Sequence, residues 1–189
     1  MEIRFENVCK SYDGRPVLQD FNWTVRDGEI WRLEGASGIG KTTALRLLLG
    51  LEQPDAGQIT GRLGVQMTAA FQEHRLCPWL GARDNLRMVC PRKIGDRQIA
   101  EALGALLSAD SLDQPVRTLS GGMQRRVAVV RALLPDSSLV VLDEPFAGLD
   151  RLNVEHMLGF ITQERRGRAM VIVSHEGYNL LEPFQTQIL

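Results

Sequence analysis

The run Gly35-Ala36-Ser37-Gly38-Ile39-Gly40-Lys41-Thr42 constrains this chain more than any other part of its sequence. It fits G-x-x-x-x-G-K-[ST] and has the context that pattern requires. Residues 29–33 before it suit a strand, and residues 41–49 after it suit a helix closed by Gly50. Such a loop holds phosphate through its backbone. Oxygen atoms must approach N–H groups closely, and Gly35, Gly38 and Gly40 have no Cβ in the way. The helix start adds free N–H groups and a dipole that favours anions. Lys41 brings a point charge to the β- and γ-phosphates, and Thr42 offers a hydroxyl to Mg²⁺. Thr43 reaches the α-phosphate from the first helical turn. By residue frequencies the pattern arises by chance in roughly one chain of this size in several hundred, so an accidental lysine after a glycine-rich turn is the weaker reading.

The rest of the chain supplies a matching scaffold. Residues 3–8 and 17–25 alternate apolar and polar and read as antiparallel strands around the turn Asp13-Gly14. Residues 53–57 read as a turn, 63–67 as a short strand, and 83–89, 98–107 and 121–134 as helices. Residues 139–142, Leu-Val-Val-Leu, form a continuous apolar run, as a strand buried on both faces does. A helix over 153–165 and a buried strand over 170–173 follow. Strands alternating with helices imply an α/β fold with a mixed or parallel sheet, and the helical middle implies a subdomain.

The strand at 139–142 ends in Asp143-Glu144. Ligand sites in open α/β sheets lie at the carboxyl ends of strands. Asp143 is placed to hold Mg²⁺, directly or through water. By strand alternation Glu144 points to the other side and can act as base for the water that attacks the γ-phosphate. Beside a phosphate loop, a merely acidic strand exit is the poorer explanation. Leu119-Ser120-Gly121-Gly122-Met123-Gln124 then opens another helix with a serine and two glycines, a second anion-binding helix N-terminus in one chain.

With LSGG shortly before an apolar strand and Asp-Glu, the chain resembles the ABC ATPases. The resemblance covers nearly all of it. Tyr12 stands where that family stacks an aromatic ring on adenine, and Gln72 matches the Q-loop glutamine that touches Mg²⁺ and faces the membrane partner. Ala147-Gly148-Leu149-Asp150 resembles the D-loop, and His175 the switch histidine at the γ-phosphate. Ala36 and Ile39 depart from the residues common in the loop, a change that a backbone-binding loop tolerates. The resemblance implies one ABC ATPase domain over 1–189, with 1–72 and 136–189 as a RecA-like P-loop NTPase core and 73–135 as the helical subdomain. It implies ATP and Mg²⁺ as ligands. Its catalytic residues would be Lys41, Glu144 and His175, and its metal-holding residues Thr42, Gln72 and Asp143. Residues 35–43, Tyr12, Gln72, Ser120, Gly121, Gly122 and Asp150 would touch nucleotide. It also implies a head-to-tail dimer, homomeric or with a related ATPase, with the phosphate loop of one chain facing the LSGG of the other across ATP.

Residues 71–80, from Phe71 to Leu80, resemble the Q-loop of importers of nitrate, sulfonate and taurine type, which favours import, with export as the alternative. The implied partners are membrane-spanning permease subunits. Residues 76–80, with Trp79 and Leu80, are the expected surface for a short cytoplasmic helix of such a partner. The implied location is cytoplasmic, peripheral on the inner face of the cell membrane. A net charge of −1 with mixed signs gives no bulk reason to expect nucleic acid. No apolar run is long enough to cross a bilayer, no signal peptide is visible, and three cysteines without C-x-x-C spacing read as reduced thiols. The chain ends soon after His175, leaving no expected regulatory domain. A non-transport ABC protein is the rival, but the coiled-coil insertions of repair and chromosome members and the second ATPase domain of translation factors are not seen here. A dead ATPase conflicts with Lys41, Asp143, Glu144 and His175 all being present. His74 and His156 are taken as structural, and Arg125 and Arg126 as solvated helix charges.

Overall fold

The computed structural model describes residues 1–174 and 185–189. The chain forms two compact units. The first comprises Met1–Met67, Ser137–Val141 and Gly167–Leu189, the second Thr68–Asp136 and Leu142–Arg166.

In the first unit β1 (Glu2–Tyr12) pairs antiparallel with β2 (Arg15–Arg26) and with β4 (Ala56–Thr60), giving the order β2-β1-β4. The alternation in residues 3–8 has a plain cause. Ile3, Phe5 and Val8 are buried, and Phe5 meets Phe21 at 5.7 Å and Trp23 at 5.5 Å between ring centroids. Trp23 in turn meets Trp31 edge-on at 5.8 Å. Aromatic pairs at such distances and tilts add to the stabilisation from burial itself.

The second sheet of this unit carries β6 (Leu139–Asp143, up to Val141), β7 (Ala169–Val173), β3 (Ile30–Glu34) and β8 (Gln185–Ile188) in that spatial order. β3 runs parallel to both β7 and β8. All five residues of β6 and of β7 are buried, as the apolar runs required. Between β3 and β4 lies α1 (Lys41–Leu48), which buries Ala44, Leu45, Leu47 and Leu48.

The second unit holds β5 (Met67–Ala70, from Thr68 on), α2 (Ala82–Arg87), α3 (Asp96–Gly104), α4 (Gly121–Leu133) and α5 (Arg151–Glu164). The helices begin where local chemistry lets them. The Ser120 side chain accepts from Met123 N at 3.2 Å and starts α4. The Asp150 side chain accepts from Asn153 N at 2.9 Å and starts α5.

Two expectations about the segment after α1 fail. The expected turn at 53–57 runs into β4 at Ala56, and the expected strand at 63–67 is a turn, with Leu63 fully exposed and the strand β5 beginning only at Met67. β4 exists because β1 offers it a partner edge, with Phe5 opposite Ile59 and Arg4 opposite Thr60. Tertiary pairing outweighs a locally turn-like composition here. β8 was not expected at all, since Gln185-Thr186-Gln187-Ile188 is polar and forms its strand through the free edge of β3.

Candidate functional site

The phosphate loop lies in the first unit. Gly40, just before α1, has φ +118°, and a Cβ there would stand 2.9 Å from Val17 Cγ1 and 3.2 Å from the Val17 carbonyl oxygen. Backbone sign and close approach to β2 both demand glycine. Lys41 is 7% exposed, and its Nζ donates to the carbonyl oxygens of Gly35 at 2.8 Å and Ala36 at 2.9 Å. Its ammonium is therefore aimed across the loop. Ala36, Ser37, Gly38 and Ile39 are exposed, as is Thr42, whereas Thr43 is buried. The first unit thus brings together Tyr12 and residues 35–43, one rim of the expected nucleotide site.

The other expected residues lie in the second unit. Asp143 is the last residue of β6 and is 2% exposed. Glu144 has φ +51°, in the left-handed region, so it does not continue the alternation of the strand as its position alone suggested. A non-glycine residue held there costs on the order of 1–3 kcal/mol, and such residues cluster where a side chain has a task. Gln72 is exposed in the loop after β5. Gly122 is closely backed by the Ala147–Asp150 loop, since a Cβ on it would stand 3.0 Å from Leu149 Cδ2. Ser120, Gly121, Gly122, Gly148 and Asp150 line a cavity of about 500 Å³ at the start of α4, and Arg125 and His74 line it too. The Asp150 carboxylate is engaged locally, accepting from Asn153 Nδ2 at 2.7 Å as well as from its N–H. His175 lies outside the described residues.

Arg125 and Arg126 are not solvated charges. Arg126 donates to Asn153 Oδ1 and to the Leu106 carbonyl oxygen, both at 2.8 Å. Arg125 is only 9% exposed, and its Nε and Nη1 have no hydrogen-bond partner among the described residues. Burial pulls its guanidinium below the usual arginine range, and the carboxylates of Glu144 and Asp143 oppose that shift. Arg125 is thus a buried cation in the lining of this cavity. His74 is half-buried beside it. Desolvation, then the Arg125 charge, holds its imidazole below the ordinary value against the Gln124 hydrogen bond.

Three links were invisible in the sequence, because each depends on how the chain folds back on itself. His74 Nδ1 meets Gln124 Oε1 at 3.3 Å, and Arg131 donates to the carbonyl oxygens of His74 and Arg75 at 2.9 and 2.7 Å. These tie the Q-loop segment to α4. Asn85 on α2 is 1% exposed and accepts from Cys77 N at 2.7 Å while donating to the Cys77, Leu80 and Gly81 carbonyl oxygens. One buried amide thus shapes the turn that carries Trp79 and Leu80. Trp79 remains 71% exposed with the Arg117 guanidinium 4.1 Å from its ring centroid, and Met88 and Val89 just after α2 are also exposed.

Residues 18–147 match the ABC transporter family. The chain is 40% identical over 178 residues to an aliphatic sulfonates import ATP-binding protein of Paraburkholderia xenovorans, covering 93% of this chain and 71% of that protein. It is 35% identical to a spermidine/putrescine import ATP-binding protein of Lawsonia intracellularis, covering 92% of this chain and 52% of that one. Among solved structures, a bacterial ABC transporter cassette determined as a dimer aligns with a TM-score of 0.80 at 26% identity, covering 92% of this chain and 88% of that one. The chain belongs to the ABC transporter family, as one of its nucleotide-using, ATP-hydrolysing subunits.

Replacing Asn85 by Ala leaves the Cys77 N–H and several buried carbonyls without partners. We expect a loss of about 2–3 kcal/mol in chemical unfolding. A loss below about 0.5 kcal/mol would show that this amide does not hold the turn.

Proposed function

We propose that this chain powers import by binding ATP with Mg²⁺ at residues 35–43 and hydrolysing it inside a head-to-tail dimer. The observation that carries this reading is the presence of two separate anion-binding helix starts. α1 begins behind the phosphate loop, and α4 begins at the Ser120 cavity. They belong to different units of the chain. In the dimer each ATP lies between the loop of one chain and the Ser120-Gly121-Gly122 start of the other. The partner is a second copy or a related ATPase.

The donor set suits Mg²⁺. The Thr42 hydroxyl, the Asp143 carboxylate and the Gln72 amide are hard oxygen ligands. Among the described residues no cluster of three or more His, Cys, Asp or Glu could hold a metal by itself. That fits an ion held by one carboxylate, a hydroxyl and the substrate's own phosphates. When bound, Mg²⁺ would neutralise charge on the β- and γ-phosphates. Lys41 supplies the fixed positive charge beside them. Tyr12 stacks on the base, and Thr43 reaches the α-phosphate. Glu144 takes a proton from the attacking water, and His175 contacts the γ-phosphate. Phosphoryl transfer asks mainly for positioning and charge neutralisation, so separated halves turn over slowly and closed ones quickly.

No described helix is long and apolar enough to cross a membrane. We place the chain on the cytoplasmic face of the cell membrane, held there by permease subunits. The docking surface is the Trp79-Leu80 turn, which receives a short helix of the permease. The Arg131 and Gln124 contacts would connect that segment to the ATP-facing start of α4. The relatives' names point to small organic ions such as sulfonates or polyamines, and the permease and any binding protein select among them.

Replacing Glu144 by Gln should preserve ATP binding and lower turnover at least 100-fold, because an amide cannot accept the proton. ATP should then stabilise a dimer in size-exclusion chromatography. Wild-type turnover in that variant would remove Glu144 as the base. Replacing Trp79 by Ala should leave folding and basal ATPase activity intact while weakening permease assembly or abolishing substrate-stimulated ATPase activity. Unchanged assembly and stimulation would place the docking surface elsewhere.

A further inference from the structure

Tyr12 is held more firmly than a surface ring at a strand end needs to be. Its hydroxyl donates to a Glu52 carboxylate oxygen. The other Glu52 oxygen lies 2.5 Å from Arg46 Nε on α1. That contact is an ion pair rather than a hydrogen bond, because the N–H is not directed at the oxygen. At the ring, Lys10 Nζ stands 5.6 Å from the centroid and is itself fixed by Asp55 at 2.7 Å. Asp55 is fixed in turn by accepting from Ser11 N at 2.7 Å. Even so, 40% of Tyr12 stays exposed.

These contacts join two parts of the expected nucleotide site. Arg46 belongs to α1, the helix that starts at the phosphate loop. Glu52 lies just beyond that helix, and its side chain is only 17% exposed. We propose that Glu52, backed by Arg46, is a positioning residue for the nucleotide base. It fixes the Tyr12 ring to α1, so that the base platform and the phosphate loop form one preorganised surface. This rests on Tyr12 being the residue that stacks on the base. A tyrosine free to rotate would have to be ordered on each binding event, and an ordered one avoids that entropy loss.

A merely structural role for Glu52 would affect the whole loop and every ligand of it. A role through the base platform affects only ligands that carry a base. Binding of ATP and of inorganic tripolyphosphate, each with Mg²⁺, separates the two. We expect Glu52→Ala and Tyr12→Phe each to weaken ATP binding about three- to tenfold, and the double variant to be no weaker than the worse single one, since both remove the same contact. Tripolyphosphate affinity should stay within about twofold throughout. Tyr12→Ala should weaken ATP binding by about tenfold or more through lost stacking. Tyr12→Phe removes only a hydroxyl, so it tests the link even where Glu52→Ala folds poorly.

The outcomes are distinguishable. If Tyr12→Ala leaves ATP affinity unchanged, Tyr12 is not the base platform, and Glu52 has nothing to position. If Tyr12→Ala weakens ATP while Glu52→Ala and Tyr12→Phe do not, the platform stands but Glu52 does not fix it. If tripolyphosphate weakens in step with ATP in Glu52→Ala, Glu52 acts through the loop or the fold, and its role at the base is overturned.

Discussion

The second unit depends on what α4 holds. That helix starts with Ser120 as its N-cap, followed by two glycines. Its later residues reach outward, Gln124 to His74, Arg126 to Asn153 and Leu106, and Arg131 to the carbonyl oxygens of residues 74 and 75. Arg125 keeps a buried positive charge beside Asp143 and Glu144. A helix anchored by so many charge-assisted hydrogen bonds moves as a body with the segments it holds. A ligand that shifts its N-terminus therefore shifts the Q-loop segment as well. Under the proposed function, that link couples nucleotide to a partner docked near Trp79.

The first unit solves a different problem, holding a loop whose backbone must stay open to a polyanion. Gly40 lets α1 start against β2, where no other residue fits. Lys41 is fixed by two carbonyl oxygens of the loop itself, so its charge is already positioned. Preorganised charge costs little reorganisation at the moment of reaction. Tyr12 is held in a similar way, its hydroxyl donating to Glu52.

How much of this could be read from sequence follows from where each function resides. A loop that works through its backbone must show its glycines, so residues 35–42 were legible at once. A strand buried on both faces must be apolar, so residues 139–142 and the acids after them were legible too. Side chains that work by tertiary contact leave no such trace. Arg125, Arg126 and Arg131 look like ordinary charges on a helix, and Asn85 like a helix surface residue, yet Arg125 and Asn85 are buried and Arg126 and Arg131 are committed to groups distant in the chain. β4 and β8 failed for the same reason, since each exists by pairing with an edge that local composition does not announce. The left-handed backbone of Glu144 could not be foreseen, because strand periodicity says nothing about the residue that leaves the strand.

The central claim is that the two anion-binding helix starts act on one ATP from different chains. The most direct test mixes Lys41→Ala chains with Ser120→Arg chains, each inactive alone. A mixed dimer then has one composite site carrying both lesions and one carrying neither, so ATPase activity should return in part. Absence of any recovery, with mixed dimers demonstrated in the sample, would contradict action across the dimer.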